Sequence, residues 1–216
     1  MKYQYQLSDG ISLVAECSED LREQAQELLK KLAELNQKVP KLKDGTTIEF
    51  GWSLLTLSDS NGELVVCEPD FARDPFHNYV PYVDHTLRVL TEQVTLLNFL
   101  GLEAANSSFR DRILISRGCL QQERIYLKRS LAEALNDSGW YIGEVEDSKP
   151  EVTTDDLDII YVYQLLILRP SLMKVLSLPP ENLVVFSGDK IEAIFNESGK
   201  NIWIDAHEKH SNLKWI

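Results

Sequence analysis

"NDSGWYIGEVED", residues 136–147, sets a tight Asp-Ser-Gly turn against two adjacent aromatics, Trp140 and Tyr141, and then enters an acidic run. If the stretch is extended, the two rings point to opposite sides, so only one enters the core by this route. Two readings stand together. In one, Trp140 closes a core behind a turn; in the other, an aromatic anchor sits inside a rim of carboxylates, the composition of a protein interface. From Glu144 to Asp158 the acids are Glu144, Glu146, Asp147, Glu151, Asp155, Asp156 and Asp158, against Lys149 alone. Asp155 and Asp156 have a local use at the start of a helix, about 0.3–1 kcal/mol each. The others have none. The partner-binding expectation therefore falls on Asp137, Trp140, Tyr141, Glu144, Glu146 and Asp147, with Asp137, Ser138 and Gly139 shaping the turn.

Outward from this stretch, strand and helix signals are mixed without strict alternation, which predicts an α+β fold of antiparallel strand pairs and hairpins packed with three main helices. A three-residue loop at Ser8-Asp9-Gly10 puts Leu7 opposite Ile11, Tyr5 opposite Leu13 and Tyr3 opposite Ala15. After Ser18, Leu21, Ala25, Leu28, Leu32 and Leu35 form one helical stripe, and Pro40 and Gly45 mark its exit. Residues 46–57 and 63–67 read as strands joined through Ser60-Asn61-Gly62. Asp84 caps a second helix over 85–100, with Leu87, Leu90, Val94 and Leu97 as its stripe and Gly101 as its stop. The strands RILISRG and ERIYLKR read as a pair, and SLAEALN reads as a short helical turn. The apolar segment 157–168, LDIIYVYQLLIL, fits a buried strand or a buried helix; the cap at Thr153 or Thr154 and the stop at Pro170 favour helix. NLVVFSG and KIEAIFN make a hairpin, NIWI is a candidate third strand, and the tail from His207 reads as polar and loose at its end. Residues 1–110 read as an N-terminal region and 111–216 as a second domain, either separate or sharing one core.

The formal charge of −12 on 216 residues disfavours phosphate backbones and anionic lipid and favours a basic protein partner. Three scattered cysteines without a CxxC pattern read as reduced core thiols, and no apolar run suggests a signal peptide or a membrane span. Together these predict a cytoplasmic protein without a cofactor.

For enzyme chemistry the richest segment is the prolyl loop, with Glu68, Asp70, Asp74, His77, Asp84 and His85. These are the residue types a divalent metal or a general acid–base pair uses, so a metal-dependent hydrolase built on Asp70 and His77 is the alternative function. No spacing within the loop matches a metal-site motif, Asp84 already serves as a cap, and Asp74-Pro75 starts a turn. His207 and His210 supply only two further ligands. A structural or regulatory domain is a third reading.

"ILISRGCLQQERIYLKR", then "DSGWYIG", an acidic loop, "RPSLMKVLSLP" and a closing hairpin resemble the bacterial immunity protein family thirty-three over about residues 112–197. Ser116-Arg117, Lys128-Arg129 and Asp137-Ser138-Gly139-Trp140 carry the resemblance most specifically. It implies a non-enzymatic protein that neutralises a toxin by occluding its active surface. The chain departs from the family pattern after Trp140, where it runs Tyr141-Ile142-Gly143-Glu144, and residues 1–110 lie outside the resemblance.

Overall fold

The computed structural model describes residues 1–8, 10–38, 41–105, 107–145 and 153–212. Two compact units divide the chain, Met1–Glu92 and Gln93–Ile216. Among the described residues no helix is long and apolar enough to cross a membrane.

In the first unit, β1 (Lys2–Gln6) and β2 (Ser12–Glu16) form a hairpin with Tyr3 opposite Ala15 and Tyr5 opposite Leu13. The Leu7 N–H donates to the Ile11 carbonyl at 2.8 Å, in the register that puts the apolar partners on one face. α1 (Arg22–Asn36) follows a 3-10 turn at Glu19–Leu21 and buries Ala25, Leu28 and Leu32. Leu35 is exposed, contrary to the expected stripe. Asn36 takes the inward place, where its Oδ1 accepts the Leu42 N–H at 2.8 Å.

The strand expected over 46–57 is a hairpin instead. β3 (Thr47–Phe50) and β4 (Ser53–Ser60) pair across Gly51-Trp52. Gly51 has φ +61°, which a two-residue connection needs and glycine adopts without steric cost. β5 (Glu63–Pro69) lies parallel to β2 and antiparallel to β4, giving the order β1-β2-β5-β4-β3; β6 (Tyr79–Val80), inside the prolyl loop, pairs with β5. α1 packs on this sheet over Leu13, Leu55, Leu57 and Val66.

α2 (Asp84–Leu100) ends before Gly101, which has φ +69°. Leu87 and Leu97 are buried as expected, but Val94 is exposed. Gln93 holds the buried register and donates its Nε2 to the Met173 carbonyl at 2.9 Å.

The second unit is built on one six-stranded sheet. Its strands are β7 (Arg112–Ser116), β8 (Arg124–Arg129), β9 (Asp137–Glu144), β10 (Leu157–Tyr161), β11 (Leu183–Ser187) and β12 (Lys190–Phe195). The order is β10-β7-β9-β8-β11-β12. β7 and β8 are thus not partners: the opening stretch, β9, lies between them, parallel to β7 and antiparallel to β8.

Three further expectations differ. Residues 130–136 form no helix; a turn closes at Ala134–Asn136 instead. Within LDIIYVYQLLIL the first five residues are the edge strand β10, because the β-branched Ile159 and Ile160 find an open edge at β7. The Thr153–Asp156 capping box closes only a 3-10 turn, and helix is limited to α3 (Leu165–Leu168). NIWI opens the helix α4 (Ile202–Asn212), because Asn201 Oδ1 accepts the N–H groups of Trp203 and Ile204 (3.2 and 3.3 Å). The end of the tail, 213–216, lies outside the described residues.

One face of this sheet is closed. Ile113, Ile115, Ile125, Leu127, Trp140, Ile142, Phe186 and Ile194 are all buried. Arg129 is buried with them at the end of β8. Its Nε donates to the Ser138 carbonyl (3.2 Å), its Nη2 to Ser107 Oγ (3.2 Å), and its Nη1 to the carbonyls of Leu176 (3.3 Å), Ala105 and Leu178. Burial lowers the guanidinium to about 10, still protonated at neutral pH. Beside it Gly139 has φ +72°, and a Cβ there would lie 2.2 Å from the Ser130 carbonyl oxygen. Gly139→Ala combines that overlap with a disfavoured backbone, so denaturant unfolding is expected to register a loss of at least about 2 kcal/mol; stability equal to the parent chain contradicts this account of the turn.

Candidate functional site

The opening stretch resolves into distinct duties. The Asp137 carboxylate accepts the Gly139 N–H (2.9 Å) and the Glu133 N–H (3.2 Å), holding the turn. Ser138 Oγ donates to the Arg112 carbonyl at 2.7 Å and accepts the Trp140 N–H at 3.1 Å, fixing the irregular start of β9 against β7. Trp140 is 2% exposed. Its Nε1 donates to the Leu176 carbonyl at 3.2 Å and its ring lies 5.5 Å from the Arg129 guanidinium carbon. The indole is therefore enclosed, a core group and not a surface anchor.

Tyr141 lies on the other face. Its hydroxyl is hydrogen-bonded to Ser116 Oγ at 2.6 Å, and its ring centroid is 5.8 Å from that of Tyr126 on β8. Burial, with the Tyr141 hydroxyl beside it, pushes the Tyr126 phenol up to about 12. Gly143, opposite Tyr126 in the ladder, leaves room for both rings: a Cβ there would approach each within 2.9 Å.

Among the described residues, the acids of this run do not gather around Tyr141. By strand alternation Glu144 is on the Trp140 side of the sheet, at the strand end. Asp156 Oδ2 accepts from Thr153 N–H and Oγ1 (3.1 and 2.7 Å), and Asp158 pairs with Arg117 at 3.4 Å. Glu146 and Asp147, and with them Lys149 and Glu151, lie outside the described residues.

The prolyl-loop residues occupy separate structural positions. Glu68 is fully buried; its carboxylate accepts from His85 N–H (3.3 Å), His85 Nδ1 (2.8 Å) and Thr86 N–H (2.8 Å), so it caps the start of α2 from a neighbouring strand. Asp84 accepts from the Ser18 N–H at 3.0 Å and from the Ser18 hydroxyl. Asp74 closes its own turn, accepting from Phe76 N–H (3.1 Å) and His77 Nδ1 (2.9 Å); the His77 contact lowers its carboxyl. Among the described residues no group of three or more His, Cys, Asp or Glu is placed to hold a metal ion. The three cysteines are free and buried. His207 Nδ1 meets the Trp203 carbonyl (2.8 Å) and His210 Nε2 the Phe99 carbonyl (3.1 Å), in an aromatic cluster of Phe99, Trp203 and both imidazoles.

Sequence reasoning passed over the exposed outer face of β10, β7 and β9. Leu114, Ile159 and Tyr161 are 37%, 62% and 38% exposed. Its signal was present in the alternation of RILIS and LDIIY, where each strand is apolar at successive positions and so supplies both faces.

The family comparison comes to bear on this unit. Residues 92–197 match the model of the Imm33-like domain, just under half of the chain, and this is the family the sequence resemblance named. No curated protein and no solved structure matches the chain.

The Glu68 hydrogen bond raises the His85 imidazole above its ordinary value, against a smaller opposing effect of burial. A raised folded-state value stabilises the fold while the ring is protonated in both states. That stability is present below the unfolded value of about 6.5 and is lost as pH rises through the higher folded value. Denaturant midpoints measured across this range should fall with rising pH in the parent chain and fall less in His85→Gln; equal slopes in the two proteins rule the linkage out.

Proposed function

We propose that this chain is a non-enzymatic binding protein of immunity type, which neutralises a protein toxin by covering its active surface. The match of residues 92–197 to the Imm33-like domain carries the reading. The division of the second sheet into one closed and one open face supports it. The closed face holds Trp140, Arg129 and the buried aliphatics, and Arg129, Ser138 and Trp140 among the residues that carry the family resemblance are buried there. The open face holds partly exposed apolar residues in rigid strand positions, which is how a binding surface keeps the ordering cost of association low.

The chemistry of the prolyl loop does not compete with this reading. Glu68 with His85, Asp74 with His77, and Asp84 are divided between a helix cap, a turn and an inter-segment tie. The test is functional and uses the full chain. A protein captured with it from the native cell is expressed alone, and then together with the chain, in a growth-competent host. The partner alone is expected to arrest growth and co-expression to restore it. A captured partner that is harmless, or whose toxicity persists in the presence of the chain, refutes the immunity reading.

A further inference from the structure

We infer that the outer face of the second sheet, formed by Leu114, Tyr141, Ile159 and Tyr161 with Arg112 and Lys128, docks a protein surface that presents carboxylates around an apolar residue. This rests on the binding-protein reading above and names the chemistry of the partner. Register places these residues together. Ile159, Leu114, Tyr141 and Lys128 are ladder neighbours across β10, β7, β9 and β8, and Tyr161 and Arg112 are neighbours on β10 and β7. Four adjacent strands span about 14 Å, wide enough for the centre of a protein contact.

The face has an aliphatic half and an aromatic half. The aromatic half is fixed in place: Ser116 holds the Tyr141 hydroxyl, and the missing side chain at Gly143 seats the Tyr126 and Tyr141 rings. A tyrosine already ordered loses little freedom on binding.

Charge decides the occupant. At this sheet Arg117 is paired with Asp158, and Arg124 is paired with Glu192 at 2.5 Å. Arg112 and Lys128 are exposed and have no carboxylate partner among the described residues. Asp137, the nearest acid along the β9 register, has its carboxylate engaged by two backbone N–H groups. Two uncompensated cations flanking apolar side chains attract carboxylates, and the guanidinium can take one bidentately. A second copy fits poorly, since two chains of charge −12 repel and would present the same cations to each other. Nucleic acid would need a basic stripe, which two cations on an acidic protein do not make.

The test uses the isotopically labelled full-length chain and two short synthetic peptides with the same Trp-Leu centre, one flanked by Asp and Glu, the other by Lys. The acidic peptide is expected to shift backbone amides of β7, β8, β9 and β10, and the lysine peptide to leave them unmoved. The double variant Arg112→Glu, Lys128→Glu, with both sites exposed and its Tm unchanged, should bind the acidic peptide about ten-fold more weakly. Equal response to both peptides, response to neither, or shifts confined to other elements overturns the assignment. So does a sedimenting dimer that Ile159→Asp converts to monomer, which would give the face to a second copy. Failure here with toxin neutralisation intact removes this face alone; failed neutralisation with a successful titration removes the immunity reading and leaves the acidic-ligand face.

Discussion

The guanidinium of Arg129 is buried among backbone carbonyls drawn from three separate segments, and the second sheet depends on that arrangement. Ser138 belongs to β9, Ala105 precedes β7, and Leu176 and Leu178 lie in the segment before β11. A buried cation is costly to desolvate, so its positions must be filled by acceptors, and the Asp111 carboxylate adds a favourable field. Arg129 supplies donors in a rigid fork and the surrounding chain supplies oxygens at matching positions. Trp140 then completes the enclosure, giving its indole N–H to Leu176 and its face to the guanidinium. Gly139 permits the close approach of β9 to Ser130 that brings these groups together. Lysine could not replace Arg129, because one ammonium cannot reach all three segments.

This arrangement explains what the family resemblance reports. Lys128-Arg129 and Asp137-Ser138-Gly139-Trp140 are neighbours in space because they build one corner of the sheet. Arg129, Ser138, Gly139 and Trp140 face the core or the backbone. A sequence likeness based on them identifies a fold, and function has to be argued from other residues. The partly exposed apolar side chains are on the opposite face, one position along each strand.

Much of the fold was legible where local chemistry and tertiary demand agreed. The first hairpin follows from its apolar register, the last from two clear apolar runs, and the first helix from its stripe. Legibility failed where a polar residue took an inward position. Asn36 and Gln93 displaced Leu35 and Val94 because each satisfies a distant backbone group, and hydrophobic spacing carries no record of such a bond. It failed again where pairing depends on distant chain. LDIIY becomes an edge strand because β7 offers it an open side, and β9 enters between β7 and β8 although RILIS and ERIYL stand closer in sequence. The candidate site was half legible: opposite directions for Trp140 and Tyr141 follow from alternation, but the strands that would surround Tyr141 do not.

Net charge and contact charge act at different ranges, and the acidic run shows why they must be separated. A charge of −12 sets the field that an approaching molecule meets beyond about a Debye length, roughly 8 Å at physiological ionic strength. Within contact, only the groups on the docking surface count, together with the partners they already have. Asp156 is committed to its cap and Asp158 to Arg117, while Glu144 belongs to the Trp140 side of β9. The sequence places these acids next to the aromatics, but the pleat and the capping bonds take them away from Tyr141. Across the ladder the half-buried ring has Lys128 on one flank and Leu114 on the other, with Tyr126 and Ser116 in contact with it. An acidic protein can therefore hold a contact face of the opposite sign, and the face sets which surface it accepts.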